Sequence, residues 1–158
     1  MTRAAAWREA LPAALQGARL VLSESELSTD VPVPIHGRGD QVFLANGWLV
    51  PVDTKRRSKP AVYLKDIIQL SAYGFILARS SRSLFGQSYP VASHGFIRAV
   101  VGRDVTYIPV KLLSSTQVIA LWNRYWELKR KEAKPRLPEP YKCVKCPKKA
   151  NCPVGKRR

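Results

Sequence analysis

Residues 40–55 of this 158-residue chain read DQVFLANGWLVPVDTK. Asn46-Gly47 stands between alternating apolar residues, the strongest short-range signal for a hairpin with a two-residue type I′ turn. In such a hairpin the numbers of facing residues sum to 93, so Asp40 is predicted to face Asp53. That pair falls on a non-hydrogen-bonded position, where Cα atoms lie about 4.5 Å apart. Because facing like charges repel, a cation is expected between them, and Lys55 projects from the same strand face.

Two carboxylates and a lysine on one hairpin face are typical of a divalent-metal nuclease site. Mg²⁺ and Mn²⁺ prefer hard oxygen ligands, and such ions activate water and stabilise charge on a phosphodiester. Lys55 could hold the attacking water or a phosphate oxygen. The alternative is structural: Asp40 caps a turn, and Asp53 is an ordinary surface acid near Lys55 and Arg56.

The composition indicates a folded, strongly basic protein. The net charge is +16, the pI is near 10.3 and 46% of residues are apolar. Such a field attracts polyanions, of which nucleic acid is the usual one. A membrane surface is the lesser alternative, since no segment approaches the roughly 20 apolar residues of a span. The three cysteines all lie between Cys143 and Cys152, which argues against a secreted disulfide framework and predicts a reducing, cytoplasmic location.

The order of the predicted elements is typical of a mixed α/β domain with a small central sheet. Residues 24–36 are predicted to be turn-like, and 81–92 an irregular loop. Pro51 cannot donate a hydrogen bond to a neighbouring strand, which must be absent or locally bulged there. The predicted helices cover 4–16, 62–80 and 114–132, and the predicted strands cover 18–23, 40–45, 48–55, 94–101 and 104–111.

The two outer helices carry further signals. The Ala- and Arg-rich N-terminus could pass for a transit peptide, but the helical spacing of Trp7, Leu11 and Leu15 favours an amphipathic helix. Ser114-x-x-Gln117 is a capping-box signature that opens the last helix. One side of that helix is predicted to carry Val118, Leu121, Trp122, Tyr125 and Leu128.

A candidate DNA-contacting pair lies on the predicted helix over 62–80. Gln69 and Tyr73 are four residues apart and therefore share a helix face. An amide and an aromatic ring can contact a DNA backbone and the face of a base. The alternative is an ordinary half-exposed helix surface.

The cysteines form the pattern Cys143-x2-Cys146-x5-Cys152, with Pro147 and Pro153 beside them. This spacing is typical of a metal or iron–sulfur lobe. A complete site needs four ligands, and His36, His94, an acid or a partner chain could supply the fourth. The alternative is three free thiols in a basic tail.

Taken in order, these motifs resemble the RecB-like branch of the PD-(D/E)xK nucleases. The order is Gly-Arg-Gly-Asp ending at Asp40, Val-Asp-Thr-Lys ending at Lys55, Gln-x3-Tyr ending at Tyr73, and the C-x2-C-x5-C tail. Within this branch the chain is most similar to the iron–sulfur exonucleases of the CRISPR-associated adaptation type, the fourth Cas family. The similarity covers about residues 18–155 and includes the strand Tyr107–Val110.

The resemblance implies a restriction-endonuclease-like α/β core with a small mixed central sheet, flanking helices and a C-terminal Cys-rich lobe. The nuclease domain would cover 1–134, and a basic Cys-rich lobe packing on the same domain would cover 135–158. The implied activity is Mg²⁺- or Mn²⁺-dependent cleavage of single-stranded DNA ends. Many family members help to trim and orient new CRISPR spacers with an integrase, so the integrase or another protein subunit is an expected partner.

The resemblance also implies residue roles. Asp40 and Asp53 would bind metal, Lys55 would be the catalytic lysine, and Gln69 and Tyr73 would form the fourth motif. The three cysteines would be ligands of a [4Fe–4S] cluster, with zinc as the alternative. DNA contacts are expected from Arg38, Arg56, Arg57, Lys59 and Tyr73.

The chain departs from the family pattern in two places. The usual upstream cysteine is missing, and the only early histidine, His36, lies four residues before Asp40, away from its expected place. Glu24 or Glu26 could complete the metal sphere. These departures favour a rival interpretation, a catalytically degenerate nuclease fold that holds DNA within a larger complex. A third interpretation, a basic zinc-ribbon adaptor, predicts zinc and no iron.

Overall fold

The structure, a computed structural model, describes residues 9–157. It contains one five-stranded sheet and three helices over these residues. The strands are β1 (Arg19–Thr29), β2 (Ile35–Ala45), β3 (Trp48–Arg56), β4 (His94–Val101) and β5 (Asp104–Lys111). The helices are α1 (Leu64–Phe85), α2 (Ser115–Lys129) and α3 (Pro140–Val144), and single 3₁₀ turns cover Ala13–Leu15, Lys149–Asn151 and Gly155–Arg157.

The strand order is β1-β2-β3-β4-β5, and only β3 and β4 run parallel. The helix α1 connects these two parallel strands, as a parallel pair requires. The result confirms a mixed α/β fold with a small central sheet and flanking helices. The chain divides into two compact units, and the second begins at Leu121, within α2, rather than at 135. Among the described residues, no helix has the length and apolar character needed to cross a membrane.

The central hairpin has the predicted register. Its ladder runs from Ala45 opposite Trp48 to Gln41 opposite Val52. Asn46-Gly47 occupies the turn, where both residues have positive φ angles of 50° and 81°. This is the conformation that a type I′ turn demands and that Asn-Gly tolerates at low cost. The hairpin therefore follows from local sequence alone.

Two predicted boundaries are wrong. The stretch 24–36 is largely strand, because β1 continues to Thr29 and β2 begins at Ile35. Leu27, with 2% of its surface exposed, packs in the core beneath α1, and this burial holds β1 to the sheet. The helix α1 runs on to Phe85 and ends at Gly86, which has a left-handed φ of 76°.

The predicted helix over 4–16 is also wrong over residues 9–16, which the structure describes. Residues 9–12 are not helical, and Pro12 has an extended ψ of 155°. A single 3₁₀ turn follows at Ala13–Leu15, and Leu15 is fully buried with Phe43 on the sheet face opposite to α1. Trp7 lies outside the described residues.

The β3–β4 pairing is interrupted at Pro51, as the sequence predicted. The regular ladder begins one residue later, at Val52 opposite Phe96. At Pro51 the neighbouring residue is Gly95, and a Cβ there would lie 2.5 Å from the Pro51 carbonyl oxygen and 2.9 Å from a methyl carbon of Leu70. The missing side chain lets β4 approach β3 closely enough to pair.

Replacing Gly95 by alanine is therefore expected to destabilise the fold. An added methyl group in a packed interior costs about 1–3 kcal/mol, and here it meets backbone, which cannot rotate away, so we expect the upper end of that range. Urea unfolding measures the loss. Ser93→Ala, at an exposed position two residues earlier, is the control and should change the free energy of unfolding by less than about 0.5 kcal/mol.

Candidate metal and nucleic-acid site

Asp53 is a buried carboxylate on β3, with 1% of its surface exposed. Its Oδ2 atom lies 2.7 Å from Nζ of Lys55. This contact is an ion pair without the alignment of a hydrogen bond, since Oδ2 has no aligned donor. Burial raises the pKa of Asp53 above its usual value, and the nearby Asp40 carboxylate adds to the rise, although Lys55 opposes it. Such a carboxylate can bind a metal cation as well as the ammonium group of Lys55.

Asp40 lies at the point where the hairpin ladder stops. The last regular pair is Gln41 with Val52, and the backbone N–H of Thr54 donates to Oδ2 of Asp40 at 2.8 Å. The side chain of Asp40 thus takes the place of a backbone acceptor. Within residues 9–157, the other carboxylate oxygen of Asp40 makes no hydrogen bond. The predicted cross-strand pair of Asp40 with Asp53 is therefore not part of the regular ladder, which ends one pair earlier.

A chain of polar contacts links β3 to α1. Nζ of Lys55 donates to Oε1 of Gln69 at 2.9 Å, and Nε2 of Gln69 donates to the hydroxyl of Tyr73 at 2.6 Å. Gln69 and Tyr73 share a face of α1, as their spacing predicted. The structure thus brings Asp53, Lys55, Gln69 and Tyr73 together, with Asp40 beside them.

The donor set at Asp40 and Asp53 fits a divalent cation. Mg²⁺ in proteins is often held by one or two carboxylates, with waters and substrate phosphates completing its shell. The observation that favours a cation here is Oδ2 of Asp53, a buried carboxylate oxygen with no aligned hydrogen-bond donor. In the described part of the chain, no three His, Cys, Asp or Glu side chains gather as a metal-ligand group, so Glu26 does not join the pair. Glu26 is exposed and neighbours Leu27, which points to the core on the other face of β1.

Two of the predicted DNA-contacting residues are internal. Tyr73 is 6% exposed, its hydroxyl is bonded to Gln69, and its ring lies against the backbone of Gly37. It cannot offer its face to a base. Burial raises the pKa of the Tyr73 hydroxyl, which keeps this group protonated as a hydrogen-bonding partner.

Arg57 is the second correction. Its side chain is 12% exposed and pairs with the buried Asp66 at 2.7 Å. The guanidinium also donates to the carbonyl of Ala61 and lies 4.7 Å from the ring centre of Tyr63. Arg57 therefore fixes the loop before α1 rather than a DNA phosphate.

Sequence reasoning missed Asp66. Its other carboxylate oxygen accepts the N–H of Tyr63, closing a capping box at the start of α1. Burial alone would raise the pKa of Asp66, but the hydrogen bonds from Arg57 and Tyr63 outweigh burial and lower it. The sequence signal that could have identified Asp66 is an acidic residue three positions after the N-cap residue, Tyr63.

The other predicted cations lie at the surface. Arg56, the last residue of β3, and Lys59, on the loop that follows, are exposed and lie within a few residues of Asp53 in the sequence. Arg38 is 61% exposed and pairs with Glu24 at 3.1 Å. Exposed cations in this position can contact phosphates, which supply most of the affinity of nucleic-acid binding.

The three cysteines lie in one segment of the second unit. Cys143 is buried, Cys146 is exposed, and Cys152 is half-buried. Hydrogen bonds from the backbone N–H groups of Gly155 and Val154 lower the pKa of Cys152, which favours its thiolate. Within residues 9–157 the three thiols are not gathered as a ligand group, so the iron–sulfur or zinc site stays a prediction.

One cavity of the first unit is separate from these groups. It has a volume of about 510 Å³ and lies between α1, the segment 91–93 and the residues leading into α2. Among its lining residues only Lys111 is charged. Ala78 lines it from the side of α1 opposite to Gln69. The cavity therefore holds none of the candidate site residues.

The raised pKa of Asp53 predicts a pH-dependent stability. In metal-free buffer, ionised Asp53 weakens the fold, so wild-type stability should fall as the pH rises from about 4, the unfolded value, through the folded pKa. Asp53→Asn removes this loss. We expect thermal unfolding to show the variant more stable than wild type at pH 7 and equal to it below about pH 4. A variant less stable at pH 7 would contradict the assignment.

Known proteins offer a weak structural similarity and no sequence match. The sequence matches no protein-family profile and no curated protein. Among solved structures, the chain is similar to the crystal structure of SSO0001, with 16% sequence identity and a TM-score of 0.45. The match covers 89% of this chain and 64% of that one.

Proposed function

We propose that this chain is a metal-dependent DNA nuclease that acts on single-stranded ends. The observation that carries the proposal is the buried carboxylate of Asp53, which has an oxygen without an aligned donor beside the cation of Lys55. Burying a carboxylate in this state is unfavourable, and a site that retains such a group is a candidate for chemistry. Asp40 supplies a second carboxylate for the same cation.

Each residue has a role in the proposed reaction. A divalent metal held by Asp40 and Asp53 would supply an activated water and charge neutralisation at the phosphate. Lys55 is placed to stabilise the negative charge that grows on the phosphate oxygens. Gln69 fixes the Lys55 ammonium group, and Tyr73 fixes Gln69, so the cation need not reorganise during cleavage.

The wider proposal follows the resemblance of the motifs. It includes the trimming of CRISPR spacers with an integrase as partner, and a [4Fe–4S] cluster whose fourth ligand comes from a partner chain. Brown colour with iron and sulfide in anaerobically purified protein would support the cluster, and zinc without iron would contradict it. Arg56 and Lys59 would hold the DNA backbone beside the cleavage site.

The experiment is cleavage of end-labelled single-stranded DNA by anaerobically purified protein, with Mn²⁺ or with EDTA. Progressive shortening with Mn²⁺ alone is expected. Binding without shortening would favour the second candidate function, a DNA-holding subunit with a degenerate site. The observation that favours this second candidate is that, among the described residues, no third carboxylate such as Glu26 joins Asp40 and Asp53.

A further inference from the structure

One face of α2 carries exposed aromatic rings. Trp122, Tyr125, Trp126 and Lys129 are spaced i, i+3, i+4 and i+7, so they share a single stripe. Tyr125 is 51% exposed and Trp126 is 39% exposed, while Trp122 is half-buried. Sequence spacing placed Trp122 and Tyr125 on one side of this helix. The structure leaves much of that side open to solvent.

The rings form a connected cluster. The ring centres of Tyr125 and Trp126 are 5.3 Å apart at an interplanar angle of 82°, and those of Trp122 and Trp126 are 5.9 Å apart at 59°. Nζ of Lys129 lies 5.6 Å from the ring centre of Tyr125. Contacts of this kind hold the side chains in place, which lowers the entropy lost when a ligand binds.

The part of the chain that carries the stripe is strongly basic. From Leu121 onward the sequence has 13 Lys and Arg and three Glu, a net charge of +10 out of +16 for the chain. The one acid of α2 in this unit, Glu127, lies about 140° around the helix from Trp122. A hydrogen bond of 2.6 Å from Arg124 to the carbonyl of Lys134 ties the following segment back to α2. Lys131, Lys134 and Arg136 on that segment are exposed.

From these observations we infer that the stripe Trp122, Tyr125, Trp126 and Lys129 is a stacking platform for unpaired bases of single-stranded DNA. Aromatic faces stack on any base, and neighbouring cations hold the phosphates. In a duplex the base faces are already stacked, so only a single strand can use the platform. The inference rests on the proposed function and deepens it, because it assigns a substrate-holding surface outside the carboxylate site.

Fluorescence anisotropy of a labelled oligonucleotide in EDTA tests the platform without cleavage. For the Tyr125→Ala/Trp126→Ala variant we expect about tenfold weaker binding, since base stacking contributes a factor of this order or more. The same strand built with abasic sites should bind wild type and variant equally. Tyr125→Phe/Trp126→Phe should retain wild-type affinity. Trp48→Ala is the matched control, since Trp48 is 49% exposed and belongs to the other unit.

The outcomes separate this inference from the proposed function. Equal affinity of wild type and the double alanine variant would overturn the platform, even if the wild type binds and cuts DNA. A self-association of the wild type that the same variant loses, with unchanged DNA affinity, would assign the stripe to a second copy of the chain. No binding of single-stranded DNA by wild type would overturn both proposals. A preference for duplex DNA that the variant keeps would also overturn the platform.

Discussion

Asp53→Asn is expected to lower the rate of Mn²⁺-dependent DNA cleavage by about 10³-fold, equivalent to about 4 kcal/mol of lost transition-state stabilisation. The amide keeps the size of the side chain but cannot neutralise a metal ion. Binding of DNA should be unchanged or tighter, because the variant removes a negative charge from the neighbourhood of the phosphate. Cleavage of an end-labelled single strand under single-turnover conditions measures the effect.

The matched control for this variant is Asp104→Asn, which removes the same charge from an exposed position at the start of β5. The control should cleave at the wild-type rate. Asp53→Ala is expected to lower the cleavage rate as much as Asp53→Asn does, because both substitutions remove the carboxylate. Wild-type cleavage by either variant of Asp53 would contradict the mechanism.

Arg57→Ala is expected to destabilise the first unit by about 3 kcal/mol, because it leaves the buried carboxylate of Asp66 without its cation. The guanidinium also bridges to the carbonyl of Ala61, so the loop before α1 loses two contacts at once. Guanidinium chloride unfolding measures the loss. Arg56→Ala, at the adjacent exposed position, should change stability by less than about 0.5 kcal/mol and should weaken DNA binding instead.

The same pair predicts an acid-dependent stability. The lowered pKa of Asp66 means that its contribution is present above the unfolded value of about 3.9 and is lost as the pH falls through the folded pKa. In Arg57→Ala this loss at low pH should be smaller than in wild type. Equal stability of Arg57→Ala and wild type at pH 7 would show that Arg57 is a surface cation, as the sequence alone suggested.

Local features could be predicted from sequence because short-range rules decide them. The register of the central hairpin follows from Asn46-Gly47 and the alternation around it. The capping box at α2 has the expected contacts, with the N–H of Ser114 bonded to Oε1 of Gln117 at 2.9 Å. The interruption at Pro51 follows from its missing N–H. In each case the decisive residues are close along the chain.

Long-range features were harder to predict. The basic run after β3 gave no sign that Arg57 turns inward while Arg56 stays outside, because the choice depends on Asp66, nine residues away. The burial of Tyr73 depends on the approach of α1 to β2. The grouping of Lys55 with Gln69 was expected from the resemblance of the motifs to a known nuclease family, and helix periodicity alone could not have paired them.

The most direct test of the central claim is Mn²⁺ binding measured by electron paramagnetic resonance on metal-free protein. We expect that wild type binds Mn²⁺ and that Asp40→Asn and Asp53→Asn each weaken this binding strongly, while Asp104→Asn does not. Equal Mn²⁺ binding by wild type and both site variants, or no binding by wild type, would contradict a metal site formed by these two carboxylates.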